Sequence, residues 1–205
     1  MSVKGYLNMK NAGIIVMTIT ALFFVVSGVC AQEIVLFSFE EGPQGWSIPD
    51  WALAKDDNAG EEVSISEHYA SVGERSFELV VDFPGVSDWR GAYVECPIGV
   101  TDWSPYSWLS VDIYLPESAP RNLRARIILT VGEDWKWTES NKAIRLTPGE
   151  WTVIRVNMKP ESLDWRRFID DEFRGDVRKL GIRIESTGAD YKGSIYIDNI
   201  KLTND

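Results

Sequence analysis

The sequence is poor in the residues from which most catalytic and metal centres are built. Its 205 residues include one His and two Cys. One imidazole and two thiols cannot form the usual zinc site, and two cysteines cannot knit a disulfide scaffold. His68 stands in Ser66-Glu67-His68-Tyr69 and reads as a loop residue rather than a base. No Gly-x-Ser-x-Gly elbow occurs, so a serine hydrolase has no support. Acids are so numerous that no pair is singled out for glycoside hydrolysis. The chain therefore reads as a non-enzyme, with a glycoside-active enzyme the least favoured alternative. Positive charge is also scarce: 21 Lys+Arg against 31 Asp+Glu leave a net charge of −10. Such a surface repels phosphate backbones and argues against nucleic acid as a partner.

No apolar run is long enough to cross a bilayer comfortably. The uncharged stretch at residues 14–26 falls short of the roughly 20 residues a spanning helix needs. It follows Lys4 and Lys10 and precedes Ser27, Gly28, Val29, Cys30 and Ala31. Val29 and Ala31 occupy the −3 and −1 positions of a cut before Gln32, the pattern of a Sec-type signal peptide. Residues 1–31 are thus read as a signal peptide. Residues 32–205 are read as one exported domain, secreted, periplasmic or at the cell surface, with no membrane span after cleavage. A lipid anchor on Cys30 and an uncleaved N-terminal anchor are the alternatives, and Val29 fits the first poorly. Cleavage removes two lysines and no acid, so the mature chain is more negative still. It keeps one thiol, Cys96, which reads as a buried core residue without a disulfide partner.

What the sequence does have is tryptophan and β pattern. Nine Trp is a high number for this length, and Trp is costly unless it packs a core or meets a ligand. Period-two alternation recurs between turn residues at 34–39, 62–66, 76–81, 91–96, 109–115, 124–131, 136–139, 151–156, 180–185 and 194–202. About ten strands without long helices imply an all-β antiparallel sandwich. One short helix is expected at 162–169, where Trp165, Phe168 and Ile169 fall on one side.

Several segments together resemble the jelly-roll carbohydrate-binding modules of the galactose-binding-like group. They are Phe37-Ser38-Phe39-Glu40-Glu41-Gly42 with Gly45-Trp46, the stretch Ala70-Ser71-Val72-Gly73-Glu74-Arg75-Ser76-Phe77-Glu78-Leu79, and Asp102-Trp103-Ser104-Pro105-Tyr106 before the strand at 109–115. Pro148-Gly149-Glu150-Trp151-Thr152 and Ile195-Tyr196-Ile197-Asp198-Asn199-Ile200-Lys201-Leu202 complete the set. The resemblance implies a jelly roll that binds polysaccharide or oligosaccharide without catalysis. The alternative is a structural or assembly protein of the cell envelope, with protein partners. The resemblance also implies a structural calcium ion (Ca2+) held by Glu40 and Asp198, with carbonyls near Ser71, Gly73 or Ser76 as additions.

Sugar rings stack their C–H faces on aromatic faces while planar polar side chains bond their hydroxyls. Trp135 and Trp137, two apart in the polar setting Glu133-Asp134-Trp135-Lys136-Trp137, would share a face if extended, or would pack a core or an edge strand. Trp89 is a further candidate. Trp46, Trp103, Trp108 and Trp151 read as core, whereas Trp51 reads as a loop residue near the binding surface or a cover for the core. Alternation turns Asp112, Tyr114, Arg126, Arg183 and Glu185 outward. These could bond a polyhydroxylated ligand or form a solvated cross-strand charge ladder.

Overall fold

The computed structural model describes residues 32–167 and 169–204, so the expected signal peptide and Cys30 lie outside the described residues. The elements are β1 (Glu33–Phe37), α1 (Asp50–Leu53), β2 (Gly60–Ser66), β3 (Ser76–Pro84), β4 (Trp89–Pro97), β5 (Trp108–Leu115), β6 (Arg124–Val131), β7 (Lys136–Glu139), β8 (Ile144–Arg145), β9 (Glu150–Asn157), α2 (Asp171–Gly175), β10 (Val177–Thr187) and β11 (Asp190–Thr203). Sheet A runs β2-β3-β11-β5-β9, with β1 also on β11; sheet B runs β4-β10-β6-β7, with β8 also on β6. All strand pairs are antiparallel. The expected sandwich is what the chain forms.

Alternation decides which residues meet between the sheets. Leu109, Val111, Ile113 and Leu115 of β5 face Ala125, Ile127 and Leu129 of β6 and Leu180, Ile182 and Ile184 of β10 within one buried core. β11 needs a correction of phase to contribute along its whole length. Asp198 pairs with Asp112 and Lys201 with Ser110, so β11 carries one residue more than its partner. This bulge is centred on Asn199, whose φ is 48°, a left-handed conformation that Asn tolerates. The extra residue lets Ile195 and Ile197 before it, and Ile200 and Leu202 after it, all point inward.

Tertiary anchoring overrides the expected helix at 162–169. One turn of apolar spacing is too short to hold a helix without support. Instead Trp165 is buried, bridges Ser140, and donates its indole N–H to the Asn157 carbonyl at 2.9 Å. Phe168 lies outside the described residues. The short helices are α1 and α2, the latter capped by Asp170, whose carboxylate accepts the Phe173 N–H at 2.7 Å. Trp46 and Trp103 are core residues as expected, but Trp108 and Trp151 are only half-buried. Both stand on the outer face of sheet A, and the Arg155 guanidinium lies 4.0 Å from the Trp108 ring centre. Cys96 is a buried free thiol pushed up to about 11 by burial, so it is protonated and inert at neutral pH.

The first and last strands are neighbours. Glu33 pairs with Thr203, and the Asn204 N–H donates to the Gln32 carbonyl at 2.9 Å. No helix among the described residues is long and apolar enough to cross a membrane.

Candidate functional site

The outer face of sheet B carries the exposed aromatics. Strand register sets its rows. Tyr93, Arg183 and Arg126 are neighbours in one row, and Glu95, Gly181, Ile128 and Glu139 in the next. Lys179, Thr130 and Trp137 form a third. Trp135 reaches this face differently from its expected extended conformation. It ends the turn at residues 132–135, with φ 53°, and its N–H returns to the Gly132 carbonyl at 3.2 Å. Trp135 and Trp137 are 54% and 41% exposed, and they still line one cleft together.

That cleft holds about 190 Å³. Trp135 and Trp137 form one part of its wall, and Trp51 and Tyr93 another. Trp51, 45% exposed on α1, meets Tyr93 edge-on at 4.9 Å, and the Lys55 ammonium sits 4.8 Å from its ring centre. Arg178 and Lys179 flank the Trp135 ring at 5.7 and 5.6 Å. Lys179 is itself fixed by Glu95 at 2.6 Å. Such cation–π contacts hold the Trp135 indole in place. Gly181 forms part of the cleft lining, and a Cβ there would stand 3.3 Å from Ile128 Cβ and 3.4 Å from the Val94 carbonyl. Gly181→Val is expected to weaken the binding of any ligand held in this cleft at least about tenfold, roughly 1.4 kcal/mol, while shifting the unfolding temperature by only a few degrees. Titration calorimetry beside a thermal melt checks this.

Beyond the cleft the face becomes charged. Arg183 lies 2.7 Å from Glu139 and 2.6 Å from Glu185, and Arg126 lies 3.0 Å from Glu185. Arg166 closes on Glu139 at 2.8 Å. Burial alone would lower the Arg183 pKa, but Glu185 and Glu139 outweigh it and hold the guanidinium above its ordinary value. Arg183, Glu139 and Glu185 are themselves largely buried, so this charge lies just beneath the sheet surface, fixed by partners already in place. The guanidinium carbon is 5.4 Å from the Trp89 ring centre and 5.5 Å from that of Tyr93. Trp89, 37% exposed, borders a second hollow of about 210 Å³ with Asn122, Arg124 and Glu185. Its ring lies over Gly91, where a Cβ would come within 2.6 Å.

The structure thus brings Trp135 and Trp137 into one cleft and sets Trp89, Arg126, Arg183 and Glu185 on the same sheet face. It does not bring Asp112 and Tyr114 there. Both stand on sheet A, where Asp112 accepts Ser71 Oγ–H at 2.5 Å and the Asn199 side-chain N–H at 3.0 Å. Glu139, Lys179 and Gly181 were not singled out by sequence. Glu139 carries a weak signal: a carboxylate two residues after Trp137 belongs to the same strand face.

The expected calcium site is overturned. Among the described residues no three of His, Cys, Asp and Glu come together to hold a metal. Glu40 and Asp198 have other work. Asp198 accepts the N–H groups of Ser71 (2.8 Å) and Val72 (3.1 Å) on one oxygen and that of Asn199 (2.7 Å) on the other. Glu40 accepts those of Glu74 (3.0 Å) and Arg75 (3.1 Å), and its carboxylate fills the space a side chain at Gly73 would take. Backbone donors occupy the oxygens that a hard cation would need. The two acids staple the loop at residues 70–75 to the sandwich.

The family model described as "Carbohydrate binding module 27" matches residues 26–205. The CBM27-1 module of Caldicellulosiruptor saccharolyticus in complex with mannohexaose is 20% identical and superposes with a TM-score of 0.59, covering 83% of this chain and 96% of that one. A CBM28 module specific for non-crystalline cellulose is 15% identical with a TM-score of 0.64, covering 84% and 95%. The family 11 module of Clostridium thermocellum in complex with a β-1,3-1,4-mixed-linked tetrasaccharide is 20% identical with a TM-score of 0.52, again covering 84% and 95%. At these identities the structural likeness establishes the fold. No curated protein matches the chain.

Proposed function

The chain belongs to the carbohydrate binding module 27 family, and from that premise we propose that it holds a manno-oligosaccharide segment on the outer face of sheet B. It is a non-catalytic carbohydrate-binding module. The observation that carries the site is the clustering of exposed indoles: Trp51, Trp135 and Trp137 around one cleft, and Trp89 on the same face. Stacking of sugar C–H faces on these rings supplies contact area at little entropic cost. Hydrogen bonds to hydroxyls come from Arg126, Arg183, Glu185 and Lys179, which are held by ion pairs before any ligand arrives. The choice of mannose rests on the related module bound to mannohexaose. Polymers of this kind are met outside the cell, which fits export by the leader read at residues 1–31.

The test is titration calorimetry of residues 32–205 with mannohexaose, cellohexaose and a mixed-linkage glucan tetrasaccharide. Mannohexaose is expected to bind at least about tenfold more tightly than either glucan, roughly 1.4 kcal/mol. A preference for either glucan sinks the mannose assignment and leaves the carbohydrate-binding role standing.

A further inference from the structure

The opposite sheet carries an aromatic row of its own. Across the outer face of sheet A, Trp151 pairs with Tyr114, Tyr114 with Tyr196, Tyr196 with Glu78, and Glu78 with Ser64. Five strands at about 4.8 Å spacing make this row roughly 19 Å long. The rings are in mutual contact, with Tyr114 and Trp151 centres 5.5 Å apart and Tyr114 and Tyr196 centres 6.2 Å apart. Tyr69 lies over them, stacked on Tyr114 at 4.2 Å and 25° and tilted over Tyr196 at 4.9 Å, and it remains 38% exposed. Where the row reaches Glu78, the surface falls into an open hollow of about 670 Å³ bordered by Ser66, Glu67, His68, Arg75 and Glu78. That volume is in the range of about 300–1,000 Å³ typical of ligand sites.

We propose that this face of sheet A is a second glycan-binding surface, on which an uncharged polysaccharide segment stacks along Tyr69 and Trp151 and places hydroxyls at Glu78. The occupant follows from the chemistry of the face. Partly exposed aromatics at the end of the row suit the C–H side of a sugar. Glu78 is a fixed acceptor: Ser64 Oγ–H donates to it at 2.8 Å. Burial would raise its pKa, but hydrogen bonds from Ser194, Ser64 and Tyr196 and the nearby His68 more than offset this and keep it ionised. Glu67 is neutralised by Arg75 at 3.0 Å, so Glu78 here and Glu117 beside Tyr114 leave the row net negative and disfavour anionic glycans. The surface does not depend on the sheet B assignment, because no residue is shared. With both faces occupied, one chain bridges two polysaccharide strands, and binding to polymer gains from the second attachment.

The experiment is calorimetry of residues 32–205 with mannohexaose, cellohexaose and mixed-linkage glucan tetrasaccharide on four proteins. These are the parent, Trp135→Ala/Trp137→Ala, Tyr69→Ala/Trp151→Ala, and the combination. The parent is expected to bind two ligands, each pair variant one, and the combination none. A second readout covers any loss of folding in the Tyr69/Trp151 variant: in folded Trp135→Ala/Trp137→Ala protein, the Trp151 indole N–H resonance is expected to shift on titration. One ligand per parent chain, with Trp151 unmoved, overturns the second surface and leaves sheet B intact. Binding lost only in the Tyr69/Trp151 variant supports the second surface and overturns the sheet B reading. A parent that binds none of the three probes overturns both.

Discussion

Replacing Trp135 and Trp137 together with Ala is expected to lower affinity at the sheet B cleft by about a hundredfold or more. Exposed aromatics that a ligand covers are where binding energy concentrates, at about 2 kcal/mol or more for a dominant residue. Two such losses, even partly overlapping, exceed the roughly 2.8 kcal/mol that a hundredfold represents. The fold should survive. Both indoles are exposed and neither belongs to the buried core, and the Trp135 ring lies against Arg178 and Lys179. A melt within a few degrees of the parent, beside calorimetry with mannohexaose, separates lost binding from lost structure. Parent-like affinity at sheet B, read from the cleft's own Trp51 and Tyr93 resonances, would remove these two residues from the site.

Asp198→Ala should be the most damaging single change to stability, at about 3 kcal/mol or more. Asp198 is fully buried and satisfies three backbone N–H groups, those of Ser71, Val72 and Asn199. Each donor left without a partner costs about 1–3 kcal/mol. For a chain of this size the melting temperature falls roughly 2–4 °C per kcal/mol, so a drop of about 10 °C is expected. The pH dependence has a definite sign. Burial, helped by the negative charge of Asp112, raises the Asp198 pKa against the pull of the three N–H donors. A carboxyl whose folded pKa is raised contributes stability below its unfolded value and loses it as pH rises through the folded value. The gap between parent and variant should therefore widen on acidification into the ordinary carboxylate range. A gap that narrows there would contradict the assigned direction.

The strands were readable because both sheet faces impose period two. In β5 the inward set Leu109, Val111, Ile113 and Leu115 is unbroken, and the polar residues between them make the alternation plain. β8 was not readable, since two residues carry no period. Trp165 shows the limit of helical spacing, because anchors outside its own segment, the bridge to Ser140 and the bond to Asn157, decided its conformation. For the site, alternation placed Arg126, Arg183 and Glu185 on an outer face but could not say which sheet each strand joins. Asp112 and Tyr114 satisfied the same rule and fell on the other side of the sandwich. Trp135 and Trp137 share a face by a route other than the one expected, since a left-handed turn rather than an extended strand brings Trp135 to the cleft. Gly181 was invisible as part of the cleft lining because its contribution is the side chain it lacks. Glu40 and Asp198 were paired as calcium ligands by resemblance alone, and that they hold backbone N–H groups instead of a cation is a property of three-dimensional proximity.

The adjacency of Gln32 and Asn204 makes the sandwich topologically close to circular. A short Gly-Ser bridge across that pair could seal the chain, and new ends could be opened at an exposed turn such as Glu117–Ser118, between β5 and β6. The rearranged protein would keep every strand pairing while moving its points of fusion. A partner attached there would depart from a different edge of the module, so its orientation to a bound polysaccharide becomes a design variable independent of the binding surface.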